Sequence, residues 1–168
     1  MLLGAILAGG RARRFGSDKA QALFRGVRLI DRVAAALTAQ CGSVVVCGRE
    51  EAGFVCLPDW PEPGLGPLGG LAAALRHAEA NGFAGVLSAG VDVPDLPLDL
   101  AGLLAGEGAA IVESQPVVGL WPVEARPALQ AFLNGSGRSL YRLADAIGAR
   151  RIDLPRPLMN VNRPEDLA

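Results

Sequence analysis

Leu7–Ala20 reads LAGGRARRFGSDKA, and the fold turns on this stretch. Ahead of it, Leu2, Leu3, Ala5, Ile6 and Leu7 form an apolar run that Gly9-Gly10 brings to a stop, the pattern of a strand buried on both faces of a parallel sheet. Glycines placed there let the backbone approach a ligand closely and turn successive N–H groups toward one anion. Arg11, Arg13, Arg14 and Lys19 follow, and their charge suits an extended triphosphate. Between residues 11 and 28 six basic residues face Asp18 alone, although the whole chain of 168 residues carries a net charge of −1. A charge run by itself is an ordinary solvated face. Beside adjacent glycines it reads as a phosphate cradle.

Two familiar phosphate motifs fail on inspection. A Walker A loop needs GxxxxGK[ST], whereas Gly10 is followed by Gly16, then Ser17-Asp18-Lys19, with Ala20 where a magnesium-binding hydroxyl belongs. Gly64-Leu65-Gly66-Pro67-Leu68-Gly69 is a literal GxGxxG, but Asp59-Trp60-Pro61-Glu62-Pro63 separates it from the nearest strand-like run. A dinucleotide fold needs strand, turn and helix in immediate succession.

Outward from the opening strand, apolar runs alternate with helical spacing. Helices are expected over Leu29–Ala39 and Leu68–Ala80, and strands at Ser43–Cys47, Phe54–Leu57 and Phe83–Ala89. Leu98–Leu104, Ala109–Val112, Val117–Trp121, Ala125–Leu133, Ser139–Ile147 and Arg150–Leu154 complete the alternation. The fold class is α/β, a three-layer α/β/α sandwich with a mostly parallel sheet, and residues 1–168 read as a single domain. A hydrophobic content of 51% is ample for one core. The Met1–Ala8 run lacks a basic leader and breaks at Gly9-Gly10, so neither a signal peptide nor a membrane span is expected. Cys41, Cys47 and Cys56 are odd in number and unpaired in spacing, and are expected to be reduced core residues. Near-neutral charge gives no reason to expect a nucleic-acid partner.

Asp92 follows the apolar Val86–Val91 run and precedes Val93-Pro94, which sets its carboxylate at a strand end, where open α/β sheets bind ligands. A single hard carboxylate suits Mg²⁺, which takes one or two protein oxygens plus phosphates and waters. An aspartate before Pro94 also serves as an ordinary turn former, as does Asp95. The sole histidine, His77, falls inside an expected helix beside Arg76 and Glu79 with nothing resembling a catalytic triad, and reads as structural or exposed. Asn162 is placed to cap a helix starting at Arg163-Pro164, with Glu165 closing a capping box.

Leu7-Ala8-Gly9-Gly10, Arg13-Arg14-Phe15-Gly16, Asp18-Lys19, Gly66-Pro67-Leu68, Asp92-Val93-Pro94 and Asn160-Val161-Asn162-Arg163-Pro164-Glu165-Asp166, in this order and spacing, resemble the molybdenum cofactor guanylyltransferases. These belong to the NTP-transferase-like superfamily with sugar-phosphate and cytidylyl transferases. The resemblance covers nearly the whole chain. It implies a Rossmann-like nucleotidyltransferase fold and Mg²⁺-dependent transfer of GMP from GTP to molybdopterin with release of pyrophosphate, in the cytoplasm and without a membrane partner. Molybdoenzymes or their chaperones are the further partners it implies. By resemblance Lys19, Arg14 and Asp92 are the catalytic residues, with Asp92 the metal ligand. Leu7, Ala8, Gly9, Gly10, Lys19, Cys47, Asp59 and Asp92 bind the nucleotide, and Asn160 and Asn162 lie on the acceptor side. Gly135–Ser139 is a weaker candidate for the acceptor phosphate. The Asp59 carboxylate can accept two N–H bonds from a guanine edge. Cys47 departs from the family, which usually carries asparagine there. Alternatives are CTP on the same acceptor, a sugar- or polyol-phosphate acceptor, or a non-catalytic nucleotide-binding carrier.

Overall fold

The computed structural model describes residues 1–9 and 18–167. Down the chain its elements are β1 (Leu2–Leu7), β2 (Leu23–Phe24), β3 (Val27–Arg28), α1 (Leu29–Thr38), β4 (Ser43–Cys47), β5 (Val55–Leu57), α2 (Pro67–Ala80), β6 (Gly85–Ala89), α3 (Leu100–Leu104), β7 (Ala110–Val112), β8 (Gln115–Pro122), α4 (Arg126–Asn134), α5 (Leu140–Ile147) and β9 (Arg150–Ile152). Short 3-10 turns occupy Lys19–Gln21, Val123–Ala125 and Pro164–Leu167.

One sheet of seven strands runs in the order β5-β4-β1-β6-β8-β7-β9. β1 pairs in parallel with both β4 and β6, and β5 extends the parallel set beyond β4. The side-chain alternation of β1 builds the layers. Leu3, Ala5 and Leu7 join Val45, Val86, Ile111 and Trp121 under α2, α4 and α5. Ile6 joins Val46, Leu87, Ala110 and Val112 over α1 and α3. Period-2 alternation with both faces apolar is what a central strand covered by helices on each side requires. The expected three layers and mostly parallel sheet are therefore present.

β8 is the reversed strand, antiparallel to both β6 and β7. Only Glu113-Ser114 separates β7 from β8, and a link that short makes a hairpin rather than a crossover. β8 is locked to β6 by a buried polar relay: Trp121 Nε1 donates to Ser88 Oγ at 3.0 Å, and that hydroxyl donates to the Val117 carbonyl at 2.7 Å. α5 opens on Ser139, whose side chain accepts from the Arg142 amide, and closes on Gly148 in the left-handed region.

Two local features differ from the sequence expectation. β2 and β3 form a small hairpin, made possible by positive φ at both Arg25 and Gly26, the geometry of a primed two-residue turn. At the C-terminal end the expected capping box does not form through Glu165. The Asn162 and Arg163 amides both donate to Asp166 Oδ2, at 2.9 and 3.0 Å, because the helix there is a single 3-10 turn and its geometry brings the next acid round to the orphan N–H groups.

Candidate active site

β5, β4, β1 and β6 run in one direction, so their carboxyl ends share one edge. Leu7-Ala8-Gly9, Cys47-Gly48, Asp59 and Asp92 all lie along it. The Ala8 amide donates to the Cys47 carbonyl at 3.0 Å and the Gly48 amide to the Leu57 carbonyl at 2.9 Å, which carries the ladder past the strands. Gly9 and Gly48 then pass backbone against backbone. A Cβ on Gly48 would stand 2.7 Å from the Gly9 Cα and 2.8 Å from its nitrogen, and Gly48 has φ +89°. Both space and conformation require glycine there.

Asp59 enters the site over the first turn of α2. A Cβ on Gly69 would meet Asp59 Cβ and Cγ at 3.0 Å, and the Trp60 amide donates to the Gly69 carbonyl at 3.1 Å. The third glycine of the GxGxxG run is thus explained by the close approach of Asp59 rather than by a dinucleotide. Burial raises the Asp59 carboxyl above its usual range. Hollows flank it on both sides: one of about 230 Å³ toward Gly48, Arg49 and Pro63, another of about 280 Å³ toward Trp60, Arg76 and His77. Arg76 lies 3.5 Å from the centre of the Trp60 ring, so His77 borders this outer hollow rather than a catalytic array. Cys47 exposes only 1% of its surface and packs in the layer beneath α2. Burial pushes its thiol up to about 12, with help from the negative charge of Asp59. The main chain of Cys47, not its sulfur, reaches the edge. Cys41, Cys47 and Cys56 are all free, as expected.

Asp92 is half-buried, and a Cβ on Gly90 would stand 2.7 Å from its Oδ1. Burial raises its carboxyl, opposed by a backbone hydrogen bond and by the charge of Lys19. Lys19 follows the cap of the 3-10 turn, Asp18, whose side chain accepts from the Ala20 amide. The C-terminal segment is laid against the Asp92 loop: the Val161 amide donates to the Asp92 carbonyl at 2.8 Å, and the Met159 amide to Asp95 Oδ1 at 3.1 Å. Asp95 therefore holds the neighbouring segment in place. This docking brings Asn160 alongside Asp92, and Asn160 Oδ1 is buried without a hydrogen-bond partner among the described residues. Asn162 points outward and is exposed. A hollow of about 420 Å³ lies beside this segment, lined by Asp95, Leu103, Leu154 and Leu158 among others. In the Gly135–Ser139 loop, Arg138 is turned back onto the Gly135 and Gly137 carbonyls.

Gly10, Arg11, Arg13 and Arg14 lie outside the described residues. Sequence reasoning missed Gly48 and Arg49; a glycine directly after the Cys47 strand end was the available signal for the first. Among the described residues no group of three or more His, Cys, Asp or Glu side chains gathers to hold a metal alone. A lone half-buried carboxylate with an orphaned amide oxygen nearby fits a cation completed by substrate phosphates and water, the donor set of magnesium. No described helix is long and apolar enough to cross a membrane.

Residues 4–151 match the family model described as the MobA-like NTP transferase domain. The molybdenum cofactor guanylyltransferase of Rhodobacter capsulatus is 38% identical, covering 99% of this chain and 93% of its own length. That of Acidiphilium cryptum is 37% identical, with 99% and 92% covered. Among solved structures, molybdopterin-guanine dinucleotide biosynthesis protein A from Archaeoglobus fulgidus superposes with a TM-score of 0.78 at 22% identity, over 99% of this chain and 95% of that one.

Proposed function

Because the chain belongs to the MobA-like NTP transferase family, we propose that it transfers GMP from GTP to molybdopterin, releasing pyrophosphate. The observation that carries this reading is the spacing of two carboxylates on one glycine-floored edge. Asp59 follows β5 and Asp92 follows β6, with β4 and β1 between them, which is three strand spacings or roughly 14 Å. A nucleoside triphosphate laid across the edge reaches from its base at Asp59 to its phosphates at Asp92.

In this pose Asp59 accepts the N–H groups of the guanine edge, and the backbone of Leu7, Ala8, Gly9 and Cys47 borders the nucleoside. Lys19 supplies positive charge beside Asp92, where the α-phosphate changes most. Gly10 and Arg14 join the phosphate side on the strength of the sequence. The terminal phosphate of molybdopterin attacks the α-phosphorus in line; a P–O bond forms to the acceptor, the bond to the β-phosphate oxygen breaks, and pyrophosphate leaves with those electrons. No protein nucleophile takes part, which agrees with a site made of carboxylates, a lysine and backbone. Asp92 would hold magnesium, which when bound supplies charge to the α-phosphate and the leaving group. Asn160, whose oxygen has no partner among the described residues, and the exposed Asn162 are read as lying on the acceptor side, with the hollow of about 420 Å³ beside Leu158 as room for the pterin. The reaction is read as cytoplasmic, with molybdoenzymes or their chaperones as recipients.

The test is pyrophosphate release from purified protein with magnesium and molybdopterin, running GTP, CTP, ATP and UTP in parallel. Release with GTP, lost in Asp92→Ala and lowered but still measurable in Lys19→Ala, is expected. Release chiefly with CTP would keep the chemistry and overturn the base assignment, and silence with every nucleotide would leave a binding module or another acceptor.

A further inference from the structure

Asp18, the partner of Lys19 in sequence, has no part in the chemistry just described, yet it is among the most tightly held side chains in the region. Its Oδ1 and Oδ2 accept from Arg49 Nη1 and Nη2 at 2.7 and 2.6 Å, fork to fork, while Oδ1 also takes the Ala20 amide at 3.2 Å. Arg49 continues to Glu51, whose Oε2 lies 3.5 Å from Nη2. Glu51 is 9% exposed, unusual for a carboxylate; its charge is matched by Arg49 and by Arg28 Nη1 at 3.0 Å, and Gln21 Nε2 donates to both of its oxygens at 3.0 and 2.9 Å.

The turn that carries Lys19 is three residues long, Lys19–Gln21. Its cap, Asp18, is gripped by Arg49, and its last residue, Gln21, by Glu51. Both anchors come from the loop that leaves β4 beside Gly48. A turn this short cannot fix a lysine through its own helical bonds, and here side chains of the strand-end loop fix it at both ends. The electrostatics point the same way. Asp18 is the nearest acid in sequence to the Lys19 ammonium, and Arg49 occupies both of its oxygens.

We propose that Asp18, Arg49 and Glu51 are positioning residues that clamp the Lys19 turn to the nucleoside end of the sheet edge and keep the Lys19 ammonium free for the triphosphate. This rests on the guanylyl-transfer reading above. The clamp couples the strand-end loop carrying Gly48 to the phosphate-binding lysine, so both ends of the nucleotide are registered by one network.

The test measures kcat and KM for GTP by pyrophosphate release, with thermal denaturation as a check on folding, for Asp18→Asn, Arg49→Met and Arg49→Lys, each alone and in a Lys19→Met background. Asp18→Asn keeps an oxygen for the Ala20 amide at a side chain that is 44% exposed, so it tests the clamp even if Arg49→Met does not fold. Asp18→Asn and Arg49→Met should each lower kcat/KM by about 10- to 100-fold, the scale of a misplaced positioning group, with Arg49→Lys recovering part of the loss. In the Lys19→Met background the same changes should cost no more than about two-fold, because coupled groups are not additive. Unchanged single variants, or a loss that persists without Lys19, would overturn the clamp alone. A wild-type protein silent with GTP would overturn the guanylyl reading and the clamp with it.

Discussion

Asp59 and Asp92 leave the same sheet edge at strands separated by β4 and β1, and burial raises both carboxyls, but their surroundings differ. Asp59 is set among backbone: Gly48 on one side, Gly69 of α2 on the other, with burial as the perturbing influence. Asp92 is set among charge and docked chain: Lys19 opposes its burial, and Val161 pins its carbonyl. A carboxylate fitted into shaped backbone can discriminate one planar hydrogen-bonding edge from another. A carboxylate facing a cation is suited to a site where phosphate charge is handled. One edge thereby separates recognition from chemistry, and each half can be broken without the other.

The largest effect is expected at Asp92. Asp92→Asn should lower kcat by about 100- to 1000-fold, the scale on which loss of one transition-state stabilising group is felt, with little change in which nucleotide is preferred. The same variant should melt at a higher temperature than the wild type in the absence of nucleotide. The carboxyl is raised in the folded state above its ordinary 3.8, so ionised Asp92 disfavours folding. That penalty is absent below the ordinary value, where both states hold the proton. It grows as pH rises through the folded value and is full at neutrality. The melting-temperature gap between Asp92→Asn and wild type should therefore be widest near pH 7 and close toward pH 4. An equal gap at both pH values would show that Asp92 does not carry the burial penalty.

Asp59→Asn comes next. Hydrogen bonds to a charged acceptor contribute about 1.5–3 kcal/mol, so kcat/KM for GTP should fall about 10- to 100-fold, while kcat at saturating nucleotide and the weaker activity with other nucleotides change little. A loss spread evenly over GTP, CTP, ATP and UTP would mean that Asp59 shapes the site without reading the base, and the contrast with Asp92 would collapse.

How far these roles could be read from the chain depends on how local their causes are. The Ser43–Cys47 strand was legible to the residue because an unbroken β-branched run bounded by glycines has no good helical alternative. The position of Asp92 was legible because the β6 strand end delivers it directly. The reversal of β8 was not anticipated, although the two residues between β7 and β8 already force it. The Asp18–Arg49–Glu51 network was invisible for a different reason: its members are 31 and 33 positions apart from Asp18, in a run of charges that composition alone reads as solvated surface. Only the parallel pairing of β1 with β4 brings the two loops together. The role of Gly69 was hidden likewise, since the approach that demands it comes from Asp59, on a separate loop.

The smallest expected effect is also the most local. Cys47, where the resemblance leads one to expect asparagine, keeps its sulfur beneath α2, and its thiol is pushed to about 12 first by burial and then by the charge of Asp59. A thiol held this high stays protonated at pH 8, and the thiolate is the form that alkylates. Mass-spectrometric tracking of iodoacetamide labelling should find Cys47 protected in the folded protein. Asp59→Asn removes one of the charges that hold the thiol up, so the Cys47 labelling rate should rise and its pH profile should shift downward, while Asp92→Asn leaves both unaltered. The buried thiol thus serves as a local reporter of one carboxylate and not the other. If both variants moved it equally, the two halves of the edge would share one electrostatic environment, and the division of recognition from chemistry argued above would fail at its physical root.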